Sequence, residues 1–526
     1  MPHPINASPQ SADYHLLTVS SSSSDGGHFK EAESILEEAG IHESGKSHSA
    51  NPLSRKPGKV RLRRALVELL PSFLHPSNRR QHGGDEHIKP PSSTEWLDGL
   101  RGYAAFFVVW HHISLIWFPW SLHDGYAGRE TDHLLQLPIA RLAISGPPHV
   151  FVFFVVSGYA LSHKALKLLR QGPGKAEEAY AALASSAFRR HPRLFIPPVV
   201  FCLPTPLIAY ANGFGGTQAG GGQMPGAAAK AMDPAPLATL GAQFGDYART
   251  VLQLADPLAH SSDWTWIYNP ALWTLPHEFR GSLLVYGTLL ALSRCESSVR
   301  LLLVTGMAFW ALYFVYWPQF LFLGGMLLAD LRIHSRHRTQ EEVGAEQVSS
   351  TLDGEWKPAV THRSGSWKSI VTRKWDNQHV HAAVQIAMYI FVLYVLGAPP
   401  WHLGGDKAPG YFWLSQLVPS QYIAANLPDH FWRLFTTPFA RYLGRISYSL
   451  YLVHVPILHG LGWWAGKFFL GITGSETDSG YVLGVVAAVA VVWVVTIWAA
   501  DLGWRYVDAP AVRFAGWVHR KVASGR

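Results

Sequence analysis

Residues 96–120 read WLDGLRGYAAFFVVWHHISLIWFPW, and this run decides the class of fold. It is apolar almost throughout, yet it carries Arg101 near one end and His112 toward the other. At about 1.5 Å and 100° per residue, the step from 101 to 112 covers about 16 Å along a helix with only about 20° of rotation. Both side chains therefore leave the same face. A charged group deep in hydrocarbon costs about 2.5–3.5 kcal/mol even on the lenient insertion scale, and such groups sit where they serve a function. His112 is the first candidate for chemistry inside a membrane.

Composition supports that class. Charged residues make up 15% of the chain against 48% hydrophobic, with 21 Trp, 20 Tyr and 26 Phe, the balance of a membrane protein with aromatic belts. The formal net charge of +8 does not indicate nucleic acid, because the basic residues fall in short blocks between apolar runs, where the positive-inside rule needs them. Cys202 and Cys295 are too few for a disulfide framework. The expected fold is an all-α polytopic membrane protein, a bundle of about nine or ten transmembrane helices behind a disordered N-terminal tail.

Residues 1–95 read as that tail, cytosolic and uncleaved: they hold a serine run at 20–24, scattered His, Gly and Pro, and no apolar stretch of signal-peptide length. Within it, 61–74 (RLRRALVELLPSFL) sets Leu62, Leu66, Leu69, Leu70 and Phe73 at helical spacing behind Arg61, Arg63 and Arg64. This is either a surface helix on anionic lipid or a short helix with no membrane contact.

Candidate spans are 102–120, 149–166, 194–211, 279–293, 299–316, 319–333, 380–398, 446–464 and 481–500. Pro197, Pro198, Pro204 and Pro206 interrupt the third, which is expected to be kinked or partly re-entrant. Basic blocks precede the first span and fill the loops around 167–193 and 332–374, which places these and the N-terminus in the cytosol. Loops 121–148, 212–278 and 399–430 are poor in Lys and Arg and face the lumen or the outside, as in a multi-pass protein of the secretory pathway or plasma membrane. The alternation then breaks. Arg433, Arg441 and Arg445 precede the eighth candidate while Arg505, Arg513, Arg520 and Lys521 follow the ninth, so both places look cytosolic, with 511–526 as a basic cytosolic tail. Either 409–427 crosses despite Pro419, or the chain lacks a helix near 432–435. The Gly-rich 213–226 and Ala-rich 227–236 read as a flexible connector, not a phosphate cradle.

Four further clusters carry polar residues into apolar surroundings. In 272–286 (LWTLPHEFRGSLLVY), Glu278 and Arg280 follow the aromatic anchor Trp273; the carboxylate either fixes an imidazole tautomer or snorkels to water with its neighbour. In 444–459 (GRISYSLYLVHVPILH), His454 lies among Tyr448 and Tyr451, as a satisfied core histidine or a catalytic one. In 151–159 (FVFFVVSGY), the Ser157-Gly158 pair suits close helix packing as well as chemistry. In 189–198 (RRHPRLFIPP), Arg190 and Arg193 satisfy the positive-inside rule and could also bind phosphates. No metal site is expected, since the histidines lack i, i+4 pairing with further ligands.

Taken together, LDGLRGYAAFFVVWHH, FFVVSGY, RRHPRLFIP, LWTLPHEFRGSLLVY and RISYSLYLVH resemble the acyltransferase 3 family of integral membrane acyltransferases, and its fungal members most, over roughly residues 96–510 including a terminal WRYVDAP. Arg101 and His112 match that family's basic-x10-His signature, Glu278 its W-[ST]-L-x-x-E element, and His454 the histidine of SYSLYL-x-H. The resemblance implies transfer of an acyl group, often acetyl, from acyl-coenzyme A to a hydroxyl of a sugar, lipid or small metabolite. It makes acyl-CoA a co-substrate and asks for no cofactor and no metal. His112 would be the general base, Glu278 would orient the imidazole or stabilise its cation, and His454 would position acceptor or donor. Arg101, Arg190 and Arg193 would hold the phosphate-bearing donor, with Asp98, Ser157, Gly158, Trp273 and Tyr451 shaping the pocket. Two departures stand out: the family has ten spans against nine found, and His277 stands beside Glu278 where fungal relatives carry an apolar residue. The competing classes are a proton-coupled transporter, which predicts inverted repeats and matched broken helices not evident in the sequence, and a degenerate, non-catalytic family member.

Overall fold

The first long helix, α1 (Glu95–Trp117), covers the opening stretch of the sequence and stops at Phe118-Pro119, where proline ends the run. The structure, a computed structural model, describes residues 67–75, 94–126, 130, 132–215, 233–256, 266–352, 386–387, 390–398 and 435–523, with side chains to Ser335 in the helix that ends at Leu352. All belong to the unit Leu66–Arg526. Regular structure among the described residues is entirely helical.

After α1 come α2 (Pro147–Leu169), α3 (Ala176–Phe201), the short α4 (Thr205–Tyr210), α5 (Leu240–Ala255), α6 (Thr274–Ala291), α7 (Ser297–Tyr313) and α8 (Trp317–Leu352). Then follow α9 (Pro438–Ile457), a π turn (Leu458–Gly462), α10 (Trp463–Thr473), α11 (Asp478–Gly503), a second π turn (Trp504–Asp508) and α12 (Ala509–Ala523). Local chemistry sets several starts. Thr239, Thr437 and Thr477 each accept a hydrogen bond from the backbone amide three residues on, and Pro438 takes the first helical position, where its missing N–H costs nothing. The kink expected from the proline-rich third span is a break: α3 ends at Phe201, and Pro204 caps α4.

Three helical stretches are long and apolar enough to cross a membrane by length and composition, Pro147–Leu169, Pro173–Tyr210 and Asp478–Ala523, and Ser297–Tyr313 is a shorter apolar helix. Their outer faces are unlike a water-soluble surface. Leu302, Phe309 and Trp310 on α7 and Val482, Leu483 and Val494 on α11 all lie exposed, an apolar belt that suits lipid.

Contact order along each pair fixes relative direction. Between α1 and α9, Gly99 meets Phe435, Gly102 meets Gly444, Arg101 meets Ser447, His112 meets His454 and Trp117 meets Gly462, so the two run parallel. α2 is antiparallel to α1, through Trp96 with Tyr159, Phe107 with His149 and His111 with Gly146. α8 runs with α2, and α11 runs against α9. The bundle thus has a near end, holding Glu95, Asp330 and Asp501, and a far end, where Arg141 donates to the carbonyls of His123 and Gly397 at 2.8 and 2.7 Å. The chain leaves Ala398 at the far end and is next described at Phe435, against Gly99 at the near end. Residues 399–434, which include the 409–427 candidate, lie outside the described residues, as do 1–66 and most of the 334–379 loop.

Of the 61–74 segment, only 67–74 are described. They hold a helical turn at 67–68 and a 3-10 helix, Ser72–Leu74, against α11. Trp498 Nε1 donates to Leu69 O at 2.8 Å, and Asp501, fully buried, accepts from both Ser72 N and Ser72 Oγ. A specific polar dock onto the last long helix therefore holds these residues, with Leu69, Leu70, Phe73 and Leu74 exposed beside it.

Candidate functional site

Glycine brings α1 and α9 together. A Cβ on Gly102 would overlap the backbone at Leu443 and Gly444, and one on Gly444 would overlap the carbonyl of Asp98. At that close approach Arg101 reaches across, donating from Nε to Ser447 Oγ at 3.0 Å and from a terminal nitrogen to Gly444 O at 3.4 Å, while pairing with exposed Asp98 at 3.0 Å. Its side chain stays about a third exposed, at 36%, and so remains open to a ligand. Eleven residues on, the same face of α1 presents His112 to His454, ring centroids 5.0 Å apart. The single-face reading of 101 and 112 is thus realised by one partner helix.

Proline shapes the other half of the pair. Pro456 inside α9 has no N–H to donate to Leu452 O, and Asn269 Nδ2 fills that role at 2.8 Å. The helix then widens into the π turn Leu458–Gly462. His454 Nδ1 lies 2.8 Å from Tyr451 O; a carbonyl only accepts, so Nδ1 carries the proton and the neutral ring keeps its lone pair on Nε2. That Nε2 is buried, in a residue 1% exposed, with no hydrogen-bond partner among the described residues. Tyr451 supports the ring from below: its hydroxyl bonds to Ala271 O and lies 2.7 Å from Thr274 Oγ1, tying α9 to the start of α6.

Glu278 joins a different set. Its carboxylate accepts from Ser157 Oγ at 3.1 Å and from Arg190 at 2.7 Å, while Arg190 Nε donates to Ser282 Oγ at 2.7 Å. The structure therefore brings together Glu278, Arg190 and Ser157, and separately His112, His454 and Tyr451. The hydrogen bonds of Glu278 go to a guanidinium and a hydroxyl, not to an imidazole as the motif reading allowed. Gly158 is a packing residue: a Cβ there would overlap the backbone of Phe322. Trp273 is exposed, its ring against His277 and Trp317, and His277 turns to those tryptophans. Arg193 is exposed.

Sequence reasoning passed over three residues here. His111 donates from Nδ1 to Ile144 O at 2.7 Å and stands between the rings of His112 and His123, at 5.5 and 5.6 Å. His123, in the short loop helix Trp120–His123, is pushed down to about 4 by burial and by His111 beside it. Asn269 Oδ1 is a second buried acceptor with no partner among the described residues. The doublet His111-His112 was a legible signal; Asn269, lone in a loop, had none. Among the described residues no group of three His, Cys, Asp or Glu side chains gathers as a metal site would need. One residue from His454, Val453 lines an apolar crevice of about 640 Å³ with Ile208, Pro456, Ile457 and Leu502.

Comparison with known proteins bears on the whole described bundle. The acyltransferase 3 family model, described as an acyltransferase domain, matches residues 94–499. The O-acetyltransferase PaAT-1 of Phomopsis amygdali is 35% identical over 479 residues, covering 86% of this chain and 88% of its own. The acyltransferase R4 of a Phoma species is 23% identical over 80% of this chain and 95% of its own, and the acyltransferase clz18 of Cochliobolus lunatus 21% identical over 74% and 84%. No solved structure matches.

Proposed function

The chain belongs to the acyltransferase 3 family and is an acyltransferase for groups other than amino-acyl groups, and from that premise we propose that it moves an acyl group, acetyl first, from acyl-CoA to a hydroxyl within the membrane. The sequence classes of acceptor, a sugar, a lipid or a small metabolite, carry over to this proposal. The observation that carries it is the facing pair of imidazoles, one with a buried, unpartnered Nε2. A buried acceptor left without a donor costs about 1–3 kcal/mol, and an incoming hydroxyl is the donor it lacks.

In this reading His112 takes the acceptor proton as the hydroxyl oxygen attacks the thioester carbonyl, and the carbon–sulfur bond breaks. The proton returns to the departing thiolate, so an alcohol and a thioester yield an ester and a free thiol. His454, its tautomer held by Tyr451 O, keeps Nε2 as an acceptor for another donor group of the acceptor molecule and so positions it. Arg101 offers a partly open guanidinium to the donor phosphates, with Arg190 and Arg193 adding positive charge at the same end. Glu278 and Ser157 keep Arg190 in place.

Ten crossings fit this reading. α1 and α9 run parallel, and the chain passes from Ala398 at the far end to Phe435 at the near end, a return that 399–434 is long enough to make. A crossing there would be the one missing from the hydropathy list and would restore the alternation of basic loops. The near end is then cytosolic, together with the 1–95 tail and the basic 511–526 segment around the acyltransferase domain at 96–510.

The test is acetyl-CoA turnover by purified protein in nanodiscs. Wild type should release free thiol and acetylate an acceptor; His112→Ala should lose at least about 100-fold in turnover while keeping its melting temperature. Full turnover by that variant removes the assigned base. Solute uptake into proteoliposomes without thiol release would establish transport instead.

A further inference from the structure

Pro456 interrupts α9 two residues after His454, so the carbonyl of Leu452, two residues before it, loses the N–H that an unbroken helix would return. Leu452 is fully buried, and a buried carbonyl needs a donor from somewhere. Asn269 Nδ2 supplies it at 2.8 Å. A carbonyl only accepts, which fixes the amide with its nitrogen toward Leu452; the same nitrogen lies 3.6 Å from Cys202 Sγ. Asn269 is itself held firmly. Its N donates to Trp266 O and its O accepts from Leu272 N, both at 3.0 Å, and its neighbour Tyr268 bonds to Gln243 and Asp246 of α5 at 2.9 and 3.0 Å.

On either side of this contact α9 is anchored by other means. Before it, the Tyr451 hydroxyl meets Ala271 O and Thr274 Oγ1. After it, in the π turn, His459 Nδ1 lies 2.6 Å from Asp233 Oδ1, and Trp464 donates to Gly213 O at 2.8 Å. Between those anchors runs the stretch 452–457, which carries His454. Among the described residues, the bond from Asn269 is the one hydrogen bond that reaches this stretch from another element. The His454 ring takes its direction from the backbone, through Nδ1 and Tyr451 O one turn back. A shift of that turn therefore moves Nε2 relative to His112.

Resting on the O-acyltransferase reading, we propose that Asn269 is a positioning residue of the reaction: standing in for the N–H that Pro456 lacks, it fixes the turn of α9 that aims His454 Nε2. No bond forms or breaks at Asn269. It acts through Leu452 O, and its importance exists only because residue 456 is proline.

That dependence is read by a double-mutant cycle on the full chain in nanodiscs, with thiol release from acetyl-CoA as the assay. Asn269→Leu nearly keeps the side-chain volume and removes the donor. It should lower kcat at least about tenfold, since a misplacement of about 1 Å costs up to about 100-fold, with KM for acetyl-CoA within about twofold. Pro456→Ala returns an N–H to Leu452 O, and in that background the same Asn269→Leu change should cost less than about twofold in kcat. Histidine nitrogen NMR gives a readout that needs no turnover: the His454 signals, identified by their loss in His454→Gln, should leave the single Nδ1–H tautomer in Asn269→Leu and return to it when Pro456→Ala is added. An equal loss of kcat from Asn269→Leu in both backgrounds overturns the proposal, because it marks a direct contact with the acceptor or a general support of the loop. Full turnover by Asn269→Leu with Pro456 in place overturns it too. Should Asn269→Leu fail to fold, the milder Asn269→Ser is carried through the same two backgrounds and judged by the same two outcomes. Absence of thiol release by wild type defeats the acyltransferase reading itself, a distinct result, and the His454 spectra still decide for or against Asn269.

Discussion

The two ends of the α1–α9 pair are built on opposite principles. At the Arg101 end, glycines let the backbones touch, and the guanidinium meets Ser447, Gly444 and Asp98 in a set of satisfied contacts. At the His112 end two imidazoles face each other, and His454 keeps a buried nitrogen without a partner among the described residues. Buried polar groups are paired almost everywhere in folded proteins; His454 Nε2 is one of several such atoms without a partner among the described residues, and in the proposed reaction it is the one the acceptor meets. The comparison teaches that glycine packing at the first end supplies stability, while in the proposed reaction the second end keeps a polar atom free for chemistry.

Substitutions at the two ends should accordingly separate stability from turnover. The largest effect is expected at the open end: His454→Ala lowers acetyl transfer at least about 100-fold with an unchanged melting temperature, measured by thiol release and by thermal unfolding of the same preparation. Next comes the ion pair beside it. Glu278→Gln leaves Arg190, 14% exposed, short of its anion and should destabilise the protein by about 3 kcal/mol, visible as loss of folded protein in detergent before any kinetic change is read. At the closed end, Gly102→Ala pushes a methyl into the backbone of α9; it should cost about 1–3 kcal/mol and lower the melting temperature, while the folded fraction keeps wild-type KM for acetyl-CoA. An unfolding His454→Ala or a fully stable Gly102→Ala would erase the distinction between the ends. The smallest effect is a pH dependence at the far loop. His123 titrates near 4 in the folded chain against 6.5 when free, so the unfolded chain binds the proton more tightly. Its contribution to stability is full above about 6.5 and is lost as pH falls toward about 4. His123→Gln should flatten that part of the melting-temperature profile.

Legibility from sequence followed physical range. The Arg101–His112 face was readable because helix periodicity is local, and the break at Pro204 was readable because proline acts on its own turn. The carboxylate partnerships were not. Glu278 was readable as an important group in its motif, yet which cation it meets depends on α3 lying beside α6, and Arg190 is 88 residues away in the chain. Asp233 and His459 are separated by 226 residues, and no pattern in either segment links them. The Leu and Phe spacing in 61–74 left open a helix on lipid or one with no membrane contact, because hydropathy cannot tell a membrane from a protein partner; the contact of Ser72 with Asp501, buried in α11, was in no local pattern.

The sequence by itself determined the helical class, the apolar belts, the family motifs and the face that carries Arg101 and His112, since each depends on residues within a few turns of one another. Only the tertiary structure decided which imidazole faces His112, where the carboxylates go, that α1 and α9 run parallel, and that Ala398 and Phe435 lie at opposite ends of the bundle. Those depend on distances between segments far apart in the chain, which packing sets and local periodicity does not encode.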